Sequence, residues 1–209
     1  MPKGSLFEQS IELLVRAGVD AGTLDSAGRQ LVVDTEDARF IIGRPTDIPT
    51  YVERGTADVG IVGKDVLMEA GASVAELLDL GFGVCRFVVA EPRSASGAAF
   101  ERYRHVGIIR VATKYPKVAE AHFAGKGVQV EIVKLHGNIE LAPLLGLAEL
   151  IVDIASTGRT LAENDLVVVE EVASSTARLV ANPVSMRTAS AQVEDVTARM
   201  ADAAGKETR

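Results

Sequence analysis

The chain has 209 residues and a formal net charge of −7, with 47% hydrophobic and 24% charged residues, 19 glycines, no tryptophan and one cysteine, Cys85. That size allows one large domain or two small ones, each with its own core, and the glycine-rich aliphatic make-up fits an α/β protein. The acidic balance argues against general nucleic-acid binding, a single cysteine excludes an internal disulfide, and no run approaches the ~20 apolar residues of a membrane span.

In chain order, Phe7, Ile11 and Leu14 recur at helical spacing between Leu6 and Gly18 and predict an amphipathic helix. Leu31 to Val33 and Arg39 to Ile42 read as a strand pair across an acidic turn. A short helix is expected from Asp47 to Gly55, with Asp47 as N-cap and Pro49 in the first turn, then a buried strand from Ala57 to Val62 and a helical turn from Val66 to Ala70. Phe87 to Ala90 is an apolar run, and the small-residue stretch from Glu91 to Gly97 reads as a hinge between domains. Beyond it the alternation is regular: strand Ile109 to Thr113, helix Lys117 to Ala124, strand Val128 to Val133, short helix Ile139 to Leu145, strand Leu150 to Ile154, and helix Thr160 to Asn164. Strands follow at Leu166 to Val169 and Arg178 to Ala181, and a polar-faced helix runs from Met186 to Ala204. Strands alternating with helices predict mostly parallel sheets with ligands at the carboxyl ends of strands.

The sharpest local feature begins at the end of one such strand. Asp153 closes an apolar run, and Ser156, Thr157, Gly158, Arg159 and Thr160 then form a hydroxyl- and glycine-containing turn into a helix. Backbone N–H groups at a helix start carry partial positive charge and bind phosphate, while a carboxylate at the strand end accepts bonds from sugar hydroxyls. A ribose 5-phosphate suits that set, and an ordinary capped helix start is the alternative. A second strand end, Val62, leads into Gly63-Lys64-Asp65, which reads as a phosphate or nucleotide contact or as a salt-bridged turn. After a third strand come Thr113, Lys114 and Tyr115, the last offering a flat face for a purine or for packing. After a fourth, Glu140 opens a helix, either to meet ligand hydroxyls or to cap.

Other chemistries are set aside. Gly63-Lys64 lacks the earlier glycine of a Walker loop, since Asp58 stands there, and Gly81-Phe82-Gly83 lacks the third glycine of a dinucleotide fingerprint, since Arg86 stands there. His105, His122 and His136 have no metal-ligand spacing, so no protein-held metal is expected.

Four stretches, Pro2 to Leu6, Arg44 to Asp65, Arg110 to Pro116 and Lys134 to Leu161, occur in an order that resembles the short-form ATP phosphoribosyltransferases. The resemblance covers Pro2 to about Asn182. It implies a two-lobed α/β fold like the type II periplasmic binding proteins, with mixed, mostly parallel sheets. Residues 1–90 and 178–209 would form the first lobe, and residues 91–177 the second. It implies attack of adenine N1 of ATP on C1 of phosphoribosyl pyrophosphate (PRPP), with Mg²⁺ accompanying the substrates. By the same resemblance Glu140, Asp153, Ser156, Thr157, Gly158, Arg159 and Thr160 would hold PRPP, and Arg44, Asp65 and Tyr115 would belong to the ATP site. Arg29 and Lys3 would stabilise the departing pyrophosphate. No strong general base is needed, because adenine N1 is already a nucleophile and catalysis rests on alignment and charge.

The sequence departs from that pattern at Ser5, where many members carry an arginine facing the pyrophosphate, and in beginning at the turn that usually follows a first strand. The resemblance further implies a cytoplasmic homodimer that joins a regulatory subunit related to histidyl-tRNA synthetase, with no nucleic acid or membrane as partner. Two rival readings share the fold or the loop: a non-catalytic two-lobed small-molecule-binding protein, and a phosphoribosyltransferase using another base.

Overall fold

A computed structural model describes residues 1–24, 28 and 30–205. The chain divides into two compact units, Met1–Val84 with Thr176–Arg209, and Cys85–Ser175. The first unit opens with α1 (Phe7–Arg16), the hairpin β1 (Val32–Asp34) and β2 (Arg39–Ile41), α2 (Ile48–Glu53), β3 (Val59–Gly63), α3 (Lys64–Ala70) and β4 (Ala75–Asp79). The second contains β5 (Cys85–Pro92), α4 (Ala98–Val106), β6 (Ile109–Thr113), α5 (Pro116–Gly125), β7 (Val130–Lys134), α6 (Leu141–Leu144), β8 (Leu150–Ala155), α7 (Arg159–Glu163) and β9 (Leu166–Ser175). The chain then returns to the first unit as β10 (Ala177–Ala181), α8 (Ser185–Thr188) and α9 (Ser190–Gly205). No helix among the described residues is long and apolar enough to cross a membrane.

In the first unit β10 lies between β3 and β4 and runs antiparallel to both. Ile11, Leu13 and Leu14 on α1 share a buried cluster with Leu179 of β10 and Met200 of α9. Arg199 of α9 donates from Nε to the Ala17 carbonyl at 2.8 Å and from Nη2 to that of Gly18, so a cation satisfies the carbonyls left over at the end of α1. The helix expected from Met186 to Ala204 is interrupted at Ala189, which leaves helical geometry at φ −130° and ψ 38°. The buried side chain of Asn182 fixes the start of α8. Its amide donates to the Val52 and Glu53 carbonyls, and its oxygen accepts the Val184 and Ser185 N–H groups at 2.8 and 3.1 Å. These bonds pin α8 to α2, while α9 follows α1.

The five-stranded sheet of the second unit has the order β7-β6-β8-β5-β9. Parallel ladders join β6 to β7 and to β8, whereas β5 runs antiparallel to β8 and to β9. Among the described strands the parallel share is therefore smaller than the alternation of strands and helices implies. It is confined to β6, β7 and β8; β5, by which the chain enters this unit, runs the other way and so makes both of its ladders antiparallel, although β9 beyond it points in the same direction as β8. Leu150, Ile151 and Val152 of β8 are fully buried, as a strand covered on both faces requires.

The stretch from Glu91 to Gly97 falls inside this unit and not at a crossing between units. The buried carboxylate of Glu91 accepts the Ser96 hydroxyl at 2.7 Å and the Gly97 N–H at 2.8 Å, which folds the small residues back on the end of β5. β9 extends beyond Val169 to Ser175, and its acidic residues are paired: Glu170 with Lys126 and His122, and Glu171 with Arg86 at 3.2 Å.

Candidate functional site

The register of the parallel strands sets the geometry. Thr113 of β6 stands opposite Lys134 of β7 on one side and Val152 of β8 on the other. The segments that follow these three residues therefore leave the sheet side by side at its carboxyl edge, where ligands of open α/β sheets are bound. Tyr115 follows β6, Glu140 lies in the connection after β7, and Asp153 to Thr160 close β8 and open α7. Eight of the sequence-predicted site residues are thus brought to one edge of one sheet.

Gly158 is the N-cap of α7 at φ +73°, a left-handed conformation that costs a residue with a side chain roughly 1 kcal/mol or more. A methyl group there would meet no atom within 4 Å, so backbone conformation and not crowding selects glycine. The same open space lets a ligand approach the backbone. Ser156, Thr157 and Thr160 are exposed, and the Thr157 hydroxyl accepts the Arg159 N–H in a long 3.4 Å contact. The Arg159 guanidinium turns along the helix to Glu163, at 2.7 Å.

Asp153 is half-buried, and its Oδ1 accepts the N–H of Ile154 at 2.8 Å. Burial pushes its carboxyl above the ordinary carboxylate range. The Ile154 bond opposes that rise, the nearby Glu140 adds to it, and Lys114 opposes it. The edge therefore holds a carboxylate pair, Asp153 and Glu140, whose charge is only partly offset. Among the described residues no group of three or more histidine, cysteine or acidic side chains could hold a metal ion.

The loop after β6 is held firmly. The buried Thr113 accepts the Tyr115 N–H at 2.8 Å, which bends the chain, and the Tyr115 ring meets Phe87 edge-on with centroids 4.9 Å apart. Tyr115 is half-buried, so packing accounts for one side of its ring. Lys114 between them is exposed, with its Nζ 6.0 Å from the centre of the Tyr115 ring.

In the first unit Lys3 lies beside Gly43, its N–H donating to the Gly43 carbonyl at 2.8 Å, and Met1–Lys3 runs along this segment with a parallel bridge between Pro2 and Gly43. Arg44 follows, exposed, at the head of a single 3₁₀ turn, Pro45–Asp47, against which α3 packs. Asp65 is in the first turn of α3, folded back over Gly63, where a Cβ would stand only 2.1 Å from Asp65 Oδ1. Lys64 is ion-paired with Glu76 of β4. Arg29 and its assigned role lie outside the described residues.

Sequence reasoning missed one cluster at the carboxyl ends of β3 and β4. Asp79 accepts the Thr176 hydroxyl at 2.6 Å and the Gly81 N–H at 3.0 Å, and pairs with Arg178 at 2.7 Å. Burial raises the Asp79 carboxyl, but the Thr176 and Gly81 bonds and the Arg178 charge outweigh it and leave it below the ordinary range. An aspartate before the left-handed Gly81 and Gly83 was the available signal. A separate cavity of about 730 Å³ lies within this unit among Leu14, Phe40, Ile48, Tyr51, Val193 and Met200, and none of the predicted site residues lines it.

A family model described as ATP phosphoribosyltransferase matches residues 44–202. A protein of Moorella thermoacetica bearing that name is 54% identical, the alignment covering 99% of this chain and 92% of that one. Among solved structures, an ATP phosphoribosyl transferase (HisG:HisZ) complex from Thermotoga maritima contains a chain that superposes with a TM-score of 0.81 at 34% identity, covering 98% and 96% of the two chains. The substrate-binding protein of an amino acid ABC transporter superposes with a TM-score of 0.53 at 14% identity, covering 94% and 80%. That last likeness concerns the fold alone, which is of the type II periplasmic-binding-protein kind.

Proposed function

The chain belongs to the ATP phosphoribosyltransferase family, and from that premise we propose how its residues divide the family's reaction. The reaction is a pentosyl transfer that opens histidine biosynthesis. Adenine N1 of ATP attacks C1 of PRPP, the bond from C1 to the pyrophosphate oxygen breaks, and phosphoribosyl-ATP and pyrophosphate are released.

The observation that carries the assignment is the shared carboxyl edge of β6, β7 and β8, with Gly158 in its left-handed conformation at the mouth of α7. The 5-phosphate of PRPP binds at the turn formed by Ser156, Thr157, Gly158, Arg159 and Thr160, taking N–H and hydroxyl donors. Asp153 and Glu140 accept the ribose hydroxyls, and their negative charge favours the positive charge that grows at C1 as the leaving group departs. Arg44, Asp65 and Tyr115 are the residues assigned to ATP. Lys3 and Arg29 are assigned to the pyrophosphate, with Ser5 supplying no charge.

Mg²⁺ is assigned to the substrates and not to a protein cage. Magnesium binds through one or two carboxylates together with substrate phosphates, and the Asp153–Glu140 pair is compatible with that count. When bound it offsets charge on the pyrophosphate. We further assign the protein to the cytoplasm as a homodimer that joins a histidyl-tRNA-synthetase-like regulatory subunit. The relative solved as a HisG:HisZ complex supports such an assembly.

The test is direct. The full chain is mixed with ATP, PRPP and Mg²⁺, with and without the regulatory subunit, pyrophosphatase being present to remove product. Phosphoribosyl-ATP is followed by its absorbance. Formation that depends on both substrates is expected, and its absence in both mixtures from folded protein would overturn the assignment.

A further inference from the structure

We infer that Gly63 is a positioning residue for ATP, acting through Asp65. Its missing side chain leaves the space in which the Asp65 carboxylate is seated. The inference rests on the assignment of Asp65 to ATP and adds to it the residue that aims the carboxylate.

Space carries the argument. A Cβ on Gly63 would overlap Asp65 Oδ1 and stand 3.2 Å from its Cγ and 3.7 Å from its Oδ2, and those three atoms would be its nearest neighbours. Gly43 and Gly60 are crowded too, but by Tyr51, Ile48 and Val52, side chains of a packed cluster of the first unit. At Gly63 the occupant is a carboxylate two residues on in the chain. Backbone conformation does not select glycine here. At φ −68° and ψ 142° an alanine is unstrained, unlike at the left-handed position of Gly158. The glycine is therefore explained by the room that this carboxylate takes.

The backbone of the turn is held, so the side chain is what must yield to any added atom. Gly63 is buried and pairs with the fully buried Ala177 of β10, and the Lys64 N–H donates to the Thr176 carbonyl at 2.9 Å. Lys64 itself is tied to Glu76 of β4. A methyl group at position 63 therefore pushes the Asp65 side chain to another rotamer and turns its acceptor oxygens in a different direction. A carboxylate that accepts from the hydroxyl or amino groups of a nucleotide must point the right way, because such bonds weaken steeply as they misalign. Gly63 thus governs ATP through the direction of Asp65 and needs no contact of its own with the nucleotide.

Equilibrium binding of ATP and of PRPP to the full chain, with urea denaturation alongside, tests the inference in Gly63→Ala, Asp65→Ala and the double variant. Asp65→Ala should weaken ATP about tenfold, as loss of a charge-assisted bond predicts. Gly63→Ala should weaken ATP about three- to tenfold, move PRPP less than about twofold, and leave the denaturation midpoint unchanged or raised. On the Asp65→Ala background, Gly63→Ala should change ATP affinity less than about twofold, because the methyl group then enters vacated space. Equal losses on both backgrounds, an unchanged ATP affinity in Gly63→Ala, or a loss shared by PRPP would each overturn the role. If Gly63→Ala fails to fold, recovery of folding in the double variant supports the seat and its absence overturns it. Full ATP affinity in Asp65→Ala would instead strike the underlying assignment of Asp65, and the role of Gly63 with it.

Discussion

The two ends of the β6–β8 strand pair treat charge in opposite ways. At the amino end Glu149, just before β8, accepts the Arg110 N–H at 2.8 Å and the Arg110 guanidinium, and also meets Arg102 at 3.1 Å. At the carboxyl end Asp153 keeps a half-buried carboxylate beside another carboxylate, and Lys114 keeps an ammonium with no ion-pair partner among the described residues. The same two strands thus carry a satisfied network that holds the sheet and an unsatisfied one available to a ligand. Polar groups left partly unmet at a strand's carboxyl end are what a binding site retains, at some cost to the stability of the free protein.

The largest effect should come from breaking the satisfied end. Glu149→Ala leaves Arg110 without its carboxylate and should cost about 2–4 kcal/mol of unfolding free energy. Urea denaturation would read it, and a loss below about 0.5 kcal/mol would show that the network is ornamental to stability. The pH dependence has a definite sign. Burial raises the Glu149 carboxyl, but the Arg110 side-chain and backbone bonds and the charges of Arg110 and Arg102 outweigh it, so its folded pKa lies below the unfolded one. Its contribution is therefore complete above the ordinary glutamate range and is lost as pH falls through the depressed folded value.

The open end should respond in the opposite sense. Asp153→Asn removes a charge whose folded pKa is raised, so at neutral pH the free protein should be unchanged or up to about 1 kcal/mol more stable. The raised carboxyl favours the folded state at low pH, and that advantage disappears as pH rises through the unfolded and then the folded value. PRPP affinity should fall by about tenfold or more, because an amide cannot accept the ribose hydroxyls as a carboxylate does. Loss of stability together with unchanged PRPP affinity would erase the contrast between the two ends.

Much of the open end was legible in the sequence and little of the closed end was. Asp153 ending an apolar run before Ser156-Thr157-Gly158 announces a strand, a turn and a helix start within a dozen residues, and β6 appears with the bounds the sequence predicts. The bond between Arg110 and Glu149 spans 39 residues and exists only because β6 and β8 are neighbours, a fact of topology that no local pattern carries. β4 escaped for a related reason. Its residues Ala75–Asp79 are all partly or fully exposed to solvent, so there is no apolar alternation to read; pairing with β10 makes it a strand. The order of motifs gave the family, but not the side chains, such as Asp79 and Arg178, that meet through the sheet.

The smallest effect concerns Arg159, which belongs to the phosphate turn by position yet is paired with Glu163 one helical turn on. Both side chains are largely exposed, at 82% and 58%, so the pair contributes only about 0.3–0.5 kcal/mol and Glu163→Ala should barely move the denaturation midpoint. Its effect on ligand binding separates two roles for the arginine. If Glu163 merely orients a guanidinium that serves the 5-phosphate, its loss weakens ribose 5-phosphate slightly. If it holds the guanidinium back from the phosphate, its loss strengthens binding by up to about twofold, because the anion no longer competes with a carboxylate for the same donors. The second outcome is expected, since the bond runs down the helix from Arg159 Nε, away from the Gly158 end of α7. Titration of Glu163→Ala with ribose 5-phosphate at low and high salt would decide it, and the gain should shrink at high salt as the exposed charges are screened.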